Sequence, residues 1–155
     1  MAAGMIFTAA GCGGEEEKKS NSNLDAQIHA GKAKVSMRNL KQVGDALAEY
    51  VIEEGNAPEG DSLAAITGQL VPRFIKTIPL NDGYGNEILY KHGNGEQKHL
   101  FFLASTGADG KFDGWDQEPG KVPHDLHSPG GYDKDILYSN KEIKNGGFDT
   151  APIVR

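Results

Sequence analysis

The stretch from Asp25 to Glu54, DAQIHAGKAKVSMRNLKQVGDALAEYVIEE, decides what the rest of the chain must do. Its residues Ala33, Met37, Leu40, Val43, Leu47, Tyr50 and Val51 recur at three- and four-residue intervals, the period that lines side chains along one side of an α-helix. Lys32, Lys34, Arg38, Lys41, Gln42, Asp45 and Glu49 fall on the other side. Asn23 or Asp25 can cap the front, and Gly55-Asn56 with Pro58 beyond them supplies a stop. A helix with one apolar stripe owes its stability to packing, so the remaining sequence must supply a surface for it to lie on.

Downstream, the signals are shorter. Ser62 to Leu70 reads as a second helix, with Asp61 or Ser62 as cap, Leu63, Ile66 and Leu70 on one face, and Pro72 ending it. The run Phe74 to Pro79 reads as extended, because a proline biases the residue before it away from helix. Asn81-Asp82-Gly83-Tyr84-Gly85-Asn86 is turn chemistry. Two strands follow, Glu87 to Lys91 and Lys98 to Ala104, with Asn94-Gly95 between them as a hairpin cue. Asp135 to Ser139 reads as a last short strand. Helix and strands are segregated along the chain, so the expected class is α+β: a long N-terminal amphipathic helix packed on a small antiparallel sheet of two to four strands.

The 155 residues suit one compact domain with a tail. Acidic residues outnumber basic ones by 22 to 16, and the resulting charge of −6 disfavours nucleic acid and anionic membrane surfaces, both of which select clustered Lys and Arg. No apolar run has the length of a membrane-spanning helix. The single cysteine, Cys12, follows a small apolar stretch and precedes Gly13-Gly14-Glu15-Glu16-Glu17-Lys18-Lys19. Ala9-Ala10-Gly11-Cys12 resembles the lipobox of bacterial lipoproteins, a resemblance that implies acylation of Cys12 and export. No Lys or Arg precedes Cys12, where a secretory signal carries positive charge, so the signal is expected to be truncated. The expected organisation is an export signal over 1–11, a lipid-anchored polar tether over 12–24, the domain over 25–143 and a flexible tail over 144–155. The membrane is met through the lipid alone, facing the periplasm or the cell surface.

Between Ser105 and Asp135 stand seven acidic residues, Asp109, Asp113, Asp116, Glu118, Asp125, Asp133 and Asp135, against Lys111, Lys121 and Lys134. A glycine-rich loop with that excess repels itself unless a cation sits inside, and Ca2+ accepts carboxylates, backbone carbonyls and water in flexible geometry. A solvated acidic loop is the plainer alternative. An EF-hand is excluded: counted from Asp109, Lys111 falls at the third position and Gly120 at the twelfth, where carboxylates are required.

Three segments in order, Pro79-Leu80-Asn81-Asp82-Gly83-Tyr84-Gly85-Asn86-Glu87-Ile88-Leu89-Tyr90, then Phe102-Leu103-Ala104-Ser105-Thr106-Gly107-Ala108-Asp109-Gly110, then Asp133-Lys134-Asp135-Ile136, resemble the major pseudopilins of type II secretion, protein G. The resemblance spans about Ala33 to Ser139. It implies a long helix on a small antiparallel sheet, with a calcium ion held in the loop before the last strand. On matching positions it implies carboxylate ligands from Asp109, Asp133 and Asp135 and backbone carbonyls from Thr106 and Lys111. A site with a dissociation constant of roughly 0.1 to 1 mM, at about 1 mM calcium, adds only about 0.4 to 1.4 kcal/mol. The segment from Phe112 to Tyr132 is longer than that family's pattern, and Cys12 with its polar sequel stands where a pseudopilin carries its hydrophobic N-terminal helix.

His124-Asp125-Leu126-His127 spaces two imidazoles as zinc sites can, yet no third ligand accompanies them. No Walker loop, zincin helix or serine elbow is present. Phe112, Trp115 and Tyr132 read as an internal apolar cluster of the long loop, or as a contact surface for a sugar or protein. The expected function is non-enzymatic: a calcium-binding, lipid-anchored, pseudopilin-like protein that serves secretion or pilus-like machinery. The alternatives are a true pseudopilin subunit whose start was misplaced, a calcium-dependent glycan or polymer-binding module, and a metal-dependent hydrolase using the carboxylates.

Overall fold

The computed structural model describes residues 14–115 and 131–140. They form helix α1 (Gly14–Glu54), helix α2 (Leu63–Leu70) and strands β1 (Leu89–His92), β2 (Phe101–Ser105) and β3 (Ile136–Ser139). The strands make one antiparallel sheet in the order β1-β2-β3, with Tyr90 opposite Leu103 and Leu103 opposite Tyr138. The described residues are therefore α+β, a long helix on a small sheet.

The apolar stripe of α1 is the inner surface. Ala33, Leu40, Val43 and Leu47 are buried, Met37, Tyr50 and Val51 are partly buried, and the seven polar residues assigned to the other side are exposed. Ser36, Asn39 and Ala46 are buried on the same side. The helix begins at Gly14, ahead of Asp25, so the part of the expected tether from Gly14 onward is helical. Its Glu15-Glu16-Glu17-Lys18-Lys19 sequence explains this: these are good helix formers, with acidic residues preceding basic ones as the helix dipole prefers. Gly55, at φ +79°, takes the left-handed turn that stops the helix and donates its N–H to the Val51 carbonyl.

Helix α2 matches its expected span. The Ser62 hydroxyl accepts from the Ala65 N–H, and Leu63, Ile66 and Leu70 are fully buried. Two expectations fail. Phe74 and Ile75 bond back to the Leu70 carbonyl, so the chain turns there and no strand forms from Phe74 to Pro79. Asn94-Gly95 is not a two-residue hairpin turn either: it opens a 3-10 turn, Gly95–Gln97, within a longer connection closed by Gly93 N–H to Leu100. Pairing begins only at His92 opposite Phe101, because Lys98 and His99 belong to the connection.

The core joins α1, α2 and the inner face of the sheet: Leu40, Val43, Leu47, Leu63, Ile66, Ile88, Tyr90, Phe101, Leu103 and Ile136 pack as one cluster. Tyr90 brings a polar tip inside and donates it to the Pro58 carbonyl at 2.6 Å; burial pushes its phenol pKa up. The third strand lies directly on the helix backbone. A methyl group on Gly44 would sit 2.1 Å from the Tyr138 ring, so this glycine is what lets α1 and β3 approach.

A methyl group added at Gly31 or Gly68 would meet nothing within 4 Å, which makes these two glycines internal controls. Gly31→Ala and Gly68→Ala are expected to stabilise by about 0.5 to 1 kcal/mol through helix propensity. Gly44→Ala is expected to destabilise by about 1 to 3 kcal/mol through overpacking against Tyr138. Urea denaturation of the three variants tests the pair of signs, and a stabilising Gly44→Ala would refute the close approach.

Candidate functional site

Two carboxylates, Asp82 and Asp135, are buried among the described residues, and their surroundings differ. Asp82 sits in the turn between α2 and β1. Its Oδ1 accepts the N–H groups of Tyr84 and Asn86, both at 2.9 Å, and its Oδ2 accepts the Ser105 hydroxyl at 2.6 Å. Ser105 ends β2, so this carboxylate ties the turn to the sheet. The same turn is fastened to α1: Ser36 Oγ accepts from Gly83 N–H at 2.9 Å, Asn39 Nδ2 donates to the Asn81 carbonyl, and the Tyr84 hydroxyl donates to the His29 carbonyl. A methyl on Gly83 would meet the Lys32 carbonyl at 1.9 Å, so only glycine fits against the helix.

Asn86 carries the framework onward to the acidic loop. Its Nδ2 donates to the Gly107 carbonyl at 2.7 Å. Gly107, at φ +66°, lies against the Tyr132 and Lys134 carbonyls, where a methyl group would come within 2.8 Å of both. Ala108 donates its N–H to the Tyr132 carbonyl. The start of the loop after β2 is thus laid along the segment that leads into β3. That segment is pinned to α1 by Tyr132, whose ring stacks on His29 at 4.9 Å and whose hydroxyl donates to the Ala26 carbonyl.

Asp135 is 3% exposed and stands immediately before β3. Its Oδ2 accepts the Asp113 N–H at 2.8 Å, while its buried Oδ1 has no hydrogen-bond partner among the described residues. Burial pushes its pKa up, the Asp113 N–H opposes that shift, and the nearby charges of Asp113 and Asp109 add to it. Thr106, 5% exposed, also has a buried hydroxyl with no partner among the described residues. Two buried oxygens without partners among the described residues thus flank the acidic loop, Thr106 Oγ1 where it leaves β2 and Asp135 Oδ1 where the chain enters β3.

The five residues expected to hold a metal are distributed unevenly. Thr106 and Asp135 are buried; Asp109 and Lys111 are exposed, with Lys111 N–H donated to Asp109 Oδ1 at 2.9 Å. Asp133 is exposed, and its charge acts on the Tyr84 phenol. Among the described residues, no three His, Cys, Asp or Glu side chains are already gathered to hold a metal. Cys12, Asp116, Glu118, His124, Asp125 and His127 lie outside the described residues. Phe112 and Trp115 pack edge to face at 4.8 Å, with Trp115 reaching Phe102 of β2, while Tyr132 is drawn away to α1. No helix among the described residues is long and apolar enough to cross a membrane. No family model, curated protein or solved structure matches the chain.

The Asp82, Ser105, Asn86 and Ser36 network carries no weight in a reading by hydrophobic period. The available signal was Asp82 placed two residues before Tyr84 and four before Asn86, a spacing at which an Asp side chain can mimic a backbone turn.

Asp82→Ala strands two part-buried N–H groups and the buried Ser105 hydroxyl, and is expected to cost about 3 kcal/mol, against about 1 to 2 kcal/mol for Ser105→Ala. Urea denaturation measures both, and hydrogen exchange at the Tyr84 and Asn86 amides locates the loss. A pH effect follows from Tyr84, whose phenol is pushed up to about 12 by burial first and then by Tyr132, Asp82 and Asp133. The unfolded chain gives up this proton near pH 10 and the folded chain later, so the contribution is full below about pH 10 and is lost as pH rises toward 12. Stability measured across that window is expected to fall less steeply in Tyr84→Phe than in the natural chain.

Proposed function

We propose that this chain is a non-catalytic, calcium-binding head that resembles the protein G pseudopilins and is carried on a lipid anchor at Cys12. The observation that carries the calcium reading is the buried Asp135 carboxylate with one oxygen unpartnered, beside a loop whose other carboxylates repel it. An orphaned buried carboxylate oxygen costs free energy that a hard cation would recover. Asp135 and Asp109 would hold the ion through carboxylates, and Thr106 and Lys111 through oxygens of the same loop. The chemistry supplied is charge neutralisation and cross-linking: the loop after β2 and the segment before β3 would be joined where too few apolar side chains exist to join them.

The α+β order of helix, turn, hairpin and final strand agrees with the pseudopilin-like reading, as does the contact between the Gly107-Ala108 backbone and residues 132–134. The role in secretion or pilus-like machinery rests on that resemblance, and its partners would be proteins of that machinery. Acylation of Cys12 and display on the periplasmic or outer surface rest on the Ala9-Ala10-Gly11-Cys12 pattern. Mass spectrometry of membrane-extracted protein tests the anchor directly.

Thermal unfolding of the full chain with calcium, with chelator and with magnesium tests the metal. A site of extracellular strength is expected to raise the melting temperature by about 2 to 8 °C with calcium at about 1 mM and by much less with magnesium. Asp135→Asn keeps an acceptor for the Asp113 N–H and is expected to abolish the rise. Identical curves in all three conditions would overturn the reading.

A further inference from the structure

We infer that the third carboxylate at this site belongs to Asp113, in the loop after β2, and not to Asp133, which the pseudopilin resemblance would assign. The assignment rests on the calcium reading above and names a ligand that the resemblance does not.

Asp113 donates its own N–H to Asp135 Oδ2 at 2.8 Å, which fixes the Asp113 main chain beside the buried carboxylate. Gly114 follows at φ +120°, a conformation that lets the chain turn away directly after Asp113. Two independent features mark the place as unfinished: Asp135 Oδ1 and Thr106 Oγ1, each on a residue more than nine-tenths buried, both without partners among the described residues. Asp113 and Asp109 stand on the same loop, Asp109 accepting the Lys111 N–H and Asp113 giving its own N–H to Asp135.

Asp133 is held elsewhere. It belongs to the 3-10 turn Gly131–Asp133, whose Tyr132 is stacked on His29 and bonded to Ala26 of α1. Its charge is felt at Tyr84, whose hydroxyl is bonded to His29 of α1, whereas exposure does not separate the two, since Asp113 and Asp133 are both exposed. Asp113, by contrast, has its main chain bonded directly to the Asp135 carboxylate. Three carboxylates with Thr106 oxygen make a hard, anionic donor set that suits Ca2+ over softer metals.

Calcium titration of the full chain by calorimetry, with Asp113→Asn and Asp133→Asn compared, tests the assignment. Asp113→Asn is expected to weaken calcium binding about tenfold or more, since affinity follows ligand charge count, and Asp133→Asn to leave it within about twofold. Terbium supplies a second readout: Trp115, the single tryptophan, stands two residues from Asp113, so sensitised terbium emission that calcium displaces is expected in the natural chain and in Asp133→Asn. Urea denaturation in chelator checks that both variants fold. A loss with Asp133→Asn equal to or larger than that with Asp113→Asn overturns the assignment and leaves the calcium reading standing. Absence of calcium binding by the natural chain overturns both.

Discussion

The Asp82 carboxylate is the constraint on which the arrangement of helix, turn and sheet depends. A buried carboxylate is tolerated inside a protein only when its oxygens are hydrogen-bonded, and here three donors reach them: two amides of its own turn and the hydroxyl at the end of β2. The acid therefore shapes the turn and docks it in one act. Ser36 and Asn39 then hold the turn against α1, and Asn86 hands the position on to Gly107. Helix, sheet and acidic loop are registered against one another through a single polar junction, and apolar packing alone would not set that register so narrowly.

Glycine does the complementary work of permitting contact. At Gly44 the helix gives up favourable propensity so that Tyr138 of β3 can lie on its backbone, and at Gly83 the turn gives up a side chain so that it can touch the Lys32 carbonyl. Both contacts involve α1, the one element long enough to reach every other part. The helix is thus a common rail: α2 packs at its C-terminal end, the sheet lies along its middle, and Tyr132 fastens the segment before β3 near His29 and Ala26.

The features legible in the sequence were those that repeat. The three- and four-residue stripe gave α1 and its buried face, Ser62 gave the start of α2, and the apolar and aromatic runs around Tyr90 and Leu103 gave β1 and β2. Features decided by a single long-range contact were not legible. Ser36 and Asn39 look like polar interruptions of the stripe until the turn they bind is known. Asn94-Gly95 has strong local turn chemistry, but the connection takes a 3-10 form because pairing does not start until Phe101. Phe74 to Pro79 has strand composition, yet Phe74 and Ile75 are captured by the Leu70 carbonyl. In each case tertiary context overrode local preference. At the acidic loop the pattern identified the residues, and geometry then separated them: Asp135 and Thr106 went inside, Asp109 stayed at the rim, and Asp133 followed Tyr132 to the helix.

Asp82 and Asp135 make the same physical demand and receive different answers. Both are aspartates with almost no exposure, in turns that lead into strands of one sheet. Asp82 has both oxygens in hydrogen bonds, from donors that the fold itself supplies. Asp135 has one oxygen satisfied by Asp113 N–H and the other left over, in a region where the nearest charges share its sign. A fold able to complete the first carboxylate from its own amides and a hydroxyl did not do so for the second, although Thr106, whose hydroxyl has no partner among the described residues, directly follows Ser105. Thr106 does not serve Asp135 as Ser105 serves Asp82. A buried carboxylate oxygen and a buried hydroxyl without partners cost free energy that a pairing group would recover. Asp82 is the buried carboxylate that the fold completes from its own donors, and Asp135 is the one that, among the described residues, it does not.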